Sequence, residues 1–244
     1  ARLPDVEVSA VVHGAAVTAS PETLGQTPER YLRDHLDAAL DLVAWAHARR
    51  ARVMLISSDA VFRATPPGPL DESTPIQPQG VYAVAKAALE QIAHTLHAEH
   101  DRDILAIRLG GIYGPGERAR ASRPRTSLIG RMIDQVLDSA CITVDPQHRR
   151  APGRSLADAL YHVASEELLT PQAAAAAIRA QLPEQNVTIQ AAPGELPHDP
   201  RQHYLSSRRL RDEIGFNAWT PFADGIAATL DWQRAQREES YDPA

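Results

Sequence analysis

Three short apolar runs punctuate the first half of the chain: Val8–Val12, Val53–Ile56 and Ile104–Leu109. Each is bounded by small, polar or glycine-containing segments, and the first two are rich in β-branched residues. Runs of this kind predict buried strands of a parallel sheet. Between them lie two stretches with apolar residues at helical spacing. Pro28–Arg49 places Leu32, Leu36, Ala39, Leu40, Val43 and Ala46 on one stripe; Val81–His100 does the same with Ala85, Leu89, Ile92, Ala93 and Leu96. Strand, helix, strand, helix, strand with right-handed crossovers predicts an α/β fold with a doubly wound parallel sheet.

The pattern changes after Gly116. The spacing predicts a helix over Leu128–Leu137, a strand over Cys141–Val144, helices over Ser155–Leu168 and Pro171–Leu182, and a strand over Asn186–Gln190. Pro193–Pro200 reads as a loop, and Leu210–Ile214 and Phe222–Trp232 close the chain as helices. The expected division is a sheet domain over residues 1–116 and a smaller lobe over 117–244, with 155–169 able to pack back on the first domain.

Composition narrows the partners. The 244 residues are 43% hydrophobic and 23% charged with a formal charge of −6, which argues against nucleic acid as a partner. No apolar run approaches the ~20 residues of a membrane span, and no leader pattern opens the chain. The expectation is a soluble, cytoplasmic protein with a small-molecule substrate. One cysteine, Cys141, cannot form a disulfide framework or a multi-thiolate zinc site, and reads as a buried small apolar residue. His94, His97 and His100 drift around their helix without a carboxylate partner, so no metal is expected. Among 25 Lys plus Arg residues, Lys86 alone is lysine. An ammonium is a compact point charge where a guanidinium is a wide fork, so a tight site can demand it.

Tyr82 and Lys86 lie four residues apart on a predicted helix and so share a face. Ser57, Ser58 and Asp59 sit where the second strand should end, and parallel sheets bind ligands at such ends. Free tyrosine has a pKa near 10, and bringing it to ~7 needs about 4 kcal/mol. An ammonium about 4 Å away at an effective dielectric near 20 supplies roughly that amount. A strand-end hydroxyl facing the pair then makes a proton-transfer site. The plain alternative is a surface Tyr and Lys stabilising an amphipathic helix.

Several collinear motifs resemble the extended short-chain dehydrogenases/reductases, the NAD-dependent epimerase/dehydratase group. They are Val11-Val12-His13-Gly14-Ala15-Ala16, Ile56-Ser57-Ser58-Asp59-Ala60-Val61-Phe62, Tyr82-Ala83-Val84-Ala85-Lys86 with Glu90, and Arg108 followed by Ile112-Tyr113-Gly114-Pro115-Gly116. Leu210–Phe216 and Trp232 are similar to the family's closing segment. The resemblance implies a Rossmann-type sheet and a catalytic Ser58, Tyr82 and Lys86. Ser58 would polarise the substrate oxygen, Tyr82 would be the acid/base, and Lys86 would lower its pKa while binding the nicotinamide ribose. Ala15 and Ala16 would line NAD or NADP through their backbone. It also implies oxidation and epimerisation chemistry on a nucleotide sugar or related hydroxylated substrate, and a homodimer through the two long helices.

Departures from the family pattern shape the expectation further. The glycine-rich cofactor loop and its strands would precede the first residue, so three strands are expected upstream. A short strand that the family places near Leu169–Thr170 is not visible. The helix asparagine is replaced by His35. Asp59 is followed by Ala60, where the family's sugar dehydratases carry a second carboxylate, which disfavours water loss. Asp59, Arg118 and Arg125 are candidate substrate contacts, since a guanidinium fork suits a diphosphate; a strand-end cap and, with Arg120 and Arg123, a solvated loop are the plain alternatives. Arg208, Arg209 and Arg211 read as a solvated helix face. A dehydrogenase or reductase of a free sugar acid or natural-product intermediate, and a catalytically silent binding protein, remain open alternatives.

Overall fold

The computed structural model describes residues 5–62, 68–124, 126–144, 159–165, 170–191, 203–216 and 219–240. Four strands, β1 (Ala10–His13), β2 (Arg52–Ser58), β4 (Ile104–Leu109) and β6 (Leu160–Val163), form a parallel sheet in the order β1-β2-β4-β6. Two long helices, α2 (Pro28–Ala48) and α3 (Val81–His100), cover one face. α2 starts cleanly: Thr27 accepts a hydrogen bond from the Arg30 amide, and Pro28 stands in the first turn, where a missing N–H costs nothing. Ala39, Val43 and Ala46 of α2 and Leu89 and Ala93 of α3 close over Val53, Leu55, Ile104, Ala106 and Leu160 of the sheet. Small residues on both helices let them lie close to the strands.

A second core joins α4 (Leu128–Ser139), β5 (Cys141–Val144), α5 (Pro171–Ala180), β7 (Thr188–Ala191) and α7 (Phe222–Ser240). β5 and β7 pair parallel. Short elements complete the fold: α1 (Pro21–Leu24), α6 (Arg208–Ile214), and the strands β3 (Gly68–Leu70) and β8 (His203–Leu205), which pair parallel. None of the described helices is long and apolar enough to cross a membrane.

Several expectations need correction. Leu160–Val163, read as part of a helix over Ser155–Leu168, is a strand of the main sheet. Its apolar spacing fits a helix as well as a strand, and the pairing to β4 decides. The buried stripe of α2 is Tyr31, His35, Ala39, Val43 and Ala46, rotated from the predicted one, and Leu40 faces outward. Tyr31 and His35 win the inner face because their polar ends find partners: the Tyr31 hydroxyl donates to the Val17 carbonyl, and His35 bonds both Tyr31 and Val17 backbone. Cys141 is half-buried rather than buried, and Arg209 is not a plain solvated group, since it reaches the Leu160 carbonyl at 3.3 Å. Residues 155–158, Leu169 and Pro193–Pro200 lie outside the described residues.

The face of the sheet turned to α3 is apolar until its carboxyl end, where it becomes polar in a single row. Ser57, Arg108 and His162 are register neighbours across β2, β4 and β6, and all three are buried. Arg108 donates to both carboxylate oxygens of Glu90 on α3, at 2.8 and 2.7 Å. Its third contact is His162 Nε2 at 3.3 Å. A guanidinium only donates, so that nitrogen accepts, and the His162 proton sits on Nδ1, donating to the Leu70 carbonyl at 3.2 Å. Burial first, and Arg108 second, hold the imidazole neutral, with its pKa down to about 3. Between pH 6.5 and about 3 the unfolded chain therefore binds a proton that the folded one refuses, and stability falls as pH is lowered through that window. Denaturant titrations at several pH values should show His162 contributing a slope approaching about 1.4 kcal/mol per pH unit, absent in His162→Gln; equal slopes in both proteins would count against this assignment.

Candidate active site

The candidate residues converge at the carboxyl end of β2. Gly80 precedes α3 with φ of 84°, a left-handed conformation that favours glycine, and this turn lets the helix begin with Tyr82 in its first turn. Ser58 ends β2 and caps the 3-10 turn Asp59–Val61. Its hydroxyl accepts from the Ala60 amide at 3.1 Å and donates to Asp59 Oδ1 at 3.1 Å. Ser58 also acts on the Tyr82 phenol, favouring its ionised form.

Lys86, one turn further along α3, is 2% exposed. Its Nζ donates to the Ile56 carbonyl at 2.7 Å and lies 5.7 Å from the centre of the Tyr82 ring. Burial pulls the ammonium below its ordinary pKa, and Glu90 opposes that shift. The net shift of the phenol is opposite in sign to the one expected: burial raises its pKa, Ser58 opposes the rise, Asp59 adds to it, and Arg123 opposes it. A buried phenol loses more hydration as an anion than its surroundings return.

Two histidines that sequence reasoning did not select complete the surroundings. His13 closes β1, and burial first, then Lys86 and His35, hold its pKa below the ordinary value. His35 sets its ring edge-on to Tyr82, 6.4 Å between centroids at 81°. Its Nε2 meets the Val17 amide at 3.3 Å and the Val17 carbonyl at 3.2 Å, and its Nδ1 meets the Tyr31 carbonyl at 3.0 Å. α2 thereby grips the segment that follows Ala15 and Ala16. Ala15 is exposed and Ala16 half-buried just beyond β1. The signal that could have found both histidines was their place in apolar surroundings, where a polar ring needs partners.

The loop arginines divide. Arg118 lies over the Trp232 ring, 5.4 Å from its centre, beside a cavity of about 450 Å³ that Glu117, Arg131 and Gln233 also line. Arg123 is the described loop arginine whose charge acts on Tyr82, and it is steered by Glu117 at 2.6 Å. Its loop reaches the β1 side through the Ser122 carbonyl, which accepts from the Thr18 and Ala19 amides at 2.8 and 3.2 Å. Arg125 lies outside the described residues.

The nicotinamide end of a dinucleotide fits what is present. Lys86 offers three N–H donors and commits one to Ile56, and an ammonium of this kind is the donor type that a ribose diol takes. The backbone at Ala15 and Ala16 is close by in the fold, at the end of the strand next to β2.

Comparison with known proteins agrees with the architecture. The dTDP-glucose 4,6-dehydratase of Streptomyces niveus is 27% identical over 93% of this chain and 70% of that protein. The structure of the dTDP-glucose 4,6-dehydratase of Streptomyces venezuelae, solved with NAD, superposes with a TM-score of 0.71 at 21% identity, covering 95% of this chain and 75% of that one. The UDP-N-acetylglucosamine 4-epimerase of Methanobrevibacter ruminantium M1 superposes with a TM-score of 0.74 at 23% identity, covering 93% and 77%. These two structural likenesses give the fold. The model of the NAD dependent epimerase/dehydratase family matches residues 2–163, well over half of the sequence, and the chain belongs to that enzyme family.

Proposed function

We propose that this chain carries the catalytic site of an NAD(P)-dependent oxidoreductase or epimerase acting on a nucleotide sugar, with Ser58, Tyr82 and Lys86 as its working residues. The observation that carries the reading is the buried Lys86 ammonium, bonded to the Ile56 carbonyl two residues before Ser58 and 5.7 Å from the centre of the Tyr82 ring. Ser58 holds the oxygen of the reacting sugar carbon, and Tyr82 gives or takes its proton. Lys86 holds the ribose of the dinucleotide, whose backbone neighbours are Ala15 and Ala16. The dinucleotide, when bound, supplies the hydride acceptor or donor. A phenol raised above its ordinary value is protonated at neutral pH, so the resting site is set to protonate a carbonyl oxygen. Asp59 orients Ser58, and Arg123 joins Arg118 and Arg125 as groups able to meet the substrate diphosphate.

A second reading, water loss from the sugar, is favoured by the names of the curated relatives. It needs an acid for the leaving hydroxyl and a base for the neighbouring carbon, and the pair Asp59–Ala60 offers one carboxylate. Incubating the protein with a dinucleotide and a panel of nucleotide sugars separates the readings by product mass and by the proton NMR couplings of the hexose ring, which change on epimerisation. Epimerisation leaves the mass unchanged, and oxidation removes two hydrogens. Loss of water throughout the panel would put dehydration in place of oxidation and epimerisation, and no product from any sugar would remove all three.

The proposed assembly is a homodimer through α2 and α3, on which Leu40 and Val84 expose apolar side chains. Light scattering should give twice the chain mass; a monomer at micromolar concentration would contradict it.

A further inference from the structure

We propose that Ser57 is a positioning residue of this site: by bonding Glu90 it locks the end of β2 to α3 and so sets Ser58 against Tyr82. This rests on the catalytic reading of Ser58 and Tyr82.

Tyr82, Lys86 and Glu90 recur every four residues along α3 and share one face. That face meets the last residues of β2 at three successive points. Glu90 Oε1 accepts from Ser57 Oγ at 2.5 Å, Lys86 Nζ donates to the Ile56 carbonyl at 2.7 Å, and Tyr82, a turn before Lys86, comes under the influence of Ser58, which favours the ionised phenol. The first two contacts hold strand and helix in register; the third is the working one. A change in either of the first two displaces the third, because Ile56, Ser57 and Ser58 are consecutive on one rigid strand.

Glu90 is a fixed post for this purpose. Both of its carboxylate oxygens are taken by Arg108, and the two side chains are each 1% exposed. Arg108 is held in turn by His162 Nε2 and by the Phe62 ring, with 4.3 Å from the guanidinium carbon to the ring centre. His162 is pinned through its ring to the Leu70 carbonyl and through its amide to Glu72 Oε1 at 2.9 Å. The brace thus runs from β6 through β4 to α3 and ends on Ser57. A hydroxyl 3% exposed, donating to a carboxylate that an arginine already neutralises, adds little charge compensation. What it adds is direction. It ties the residue next to the reacting hydroxyl to the helix that carries the phenol.

Two variants test this. Ser57→Ala removes the donor with almost no change of volume, and Ser57→Cys keeps the shape with only a weak S–H donor. Both leave the Glu90–Arg108 pair intact. With the nucleotide sugar and dinucleotide that the protein turns over, each should lower kcat about 10-fold or more while KM stays close to wild type, as expected for a misplaced reacting group. A second readout needs no turnover: the Tyr82 phenol can be titrated by NMR in protein carrying ring-labelled tyrosine, with the signal assigned by its loss in Tyr82→Phe. In both variants its titration should move upward, because a loosened Ser58 stabilises the phenolate less. An unchanged Tyr82 titration in Ser57→Ala would overturn the proposal, and so would a wild-type kcat in that variant. If no nucleotide sugar is turned over, the catalytic reading fails and the titration alone decides whether Ser57 positions Ser58.

Discussion

Replacing Tyr82 by phenylalanine is expected to lower turnover by about 10²- to 10⁴-fold, the range that a positioned acid or base supplies. The variant removes one oxygen and keeps the ring that packs edge-on against His35. Lys86 keeps its bond to Ile56, so dinucleotide affinity should be nearly unchanged. Thermal stability should also hold, because Ser58 retains Asp59 and the Ala60 amide as partners. Steady-state kinetics and dinucleotide titration check the two halves together. Turnover within a few-fold of wild type would take the acid/base role from Tyr82.

The second large effect concerns stability. Glu90 and Arg108 are buried with both carboxylate oxygens engaged. Breaking such a pair leaves an uncompensated charge in a low-dielectric interior and costs about 3–5 kcal/mol. Glu90→Gln should therefore lower Tm by roughly 10 °C, given ~2–4 °C per kcal/mol for a chain of this size. Pairing it with Arg108→Met should recover part of that loss, since the stranded guanidinium is then removed as well. Thermal unfolding followed by circular dichroism reads both. A single substitution as stable as wild type would mean that water reaches the pair, contrary to its burial.

The sequence carried the strong periodic elements well. The bounds expected for α3, β4 and β5 match those observed, because each combines an unbroken pattern with flanking Gly, Asp or Pro punctuation. It carried less where two patterns overlap. Leu160–Val163 holds apolar residues three apart, which suits a helix, and only the neighbouring β4 makes it a strand. The stripe of α2 is rotated by one position from its expected place because Tyr31 and His35 look like surface residues until Val17 supplies their partners. At the site, spacing is enough to place Tyr82 and Lys86 on one face and Ser58 at a strand end. The direction in which the phenol shifts was not legible. Coulomb attraction can be guessed from spacing, whereas desolvation depends on what packs over the ring, and that includes His35 from a helix far away in sequence. The polar row of Ser57, Arg108 and His162 was half visible: an arginine inside Ile104–Leu109 had to find a buried anion. Glu90 was in view only as a spacing.

The most direct test follows hydrogen itself. A nucleotide sugar carrying deuterium on the hexose carbon that is oxidised, mixed rapidly with the protein and oxidised dinucleotide, should give reduced nicotinamide absorbance. That absorbance should rise more slowly than with the undeuterated sugar, and barely at all in Tyr82→Phe. Absence of reduced nicotinamide while both ligands are bound, or equal rises in wild type and Tyr82→Phe, would contradict a proton held between Ser58 and Tyr82 as the centre of the chemistry.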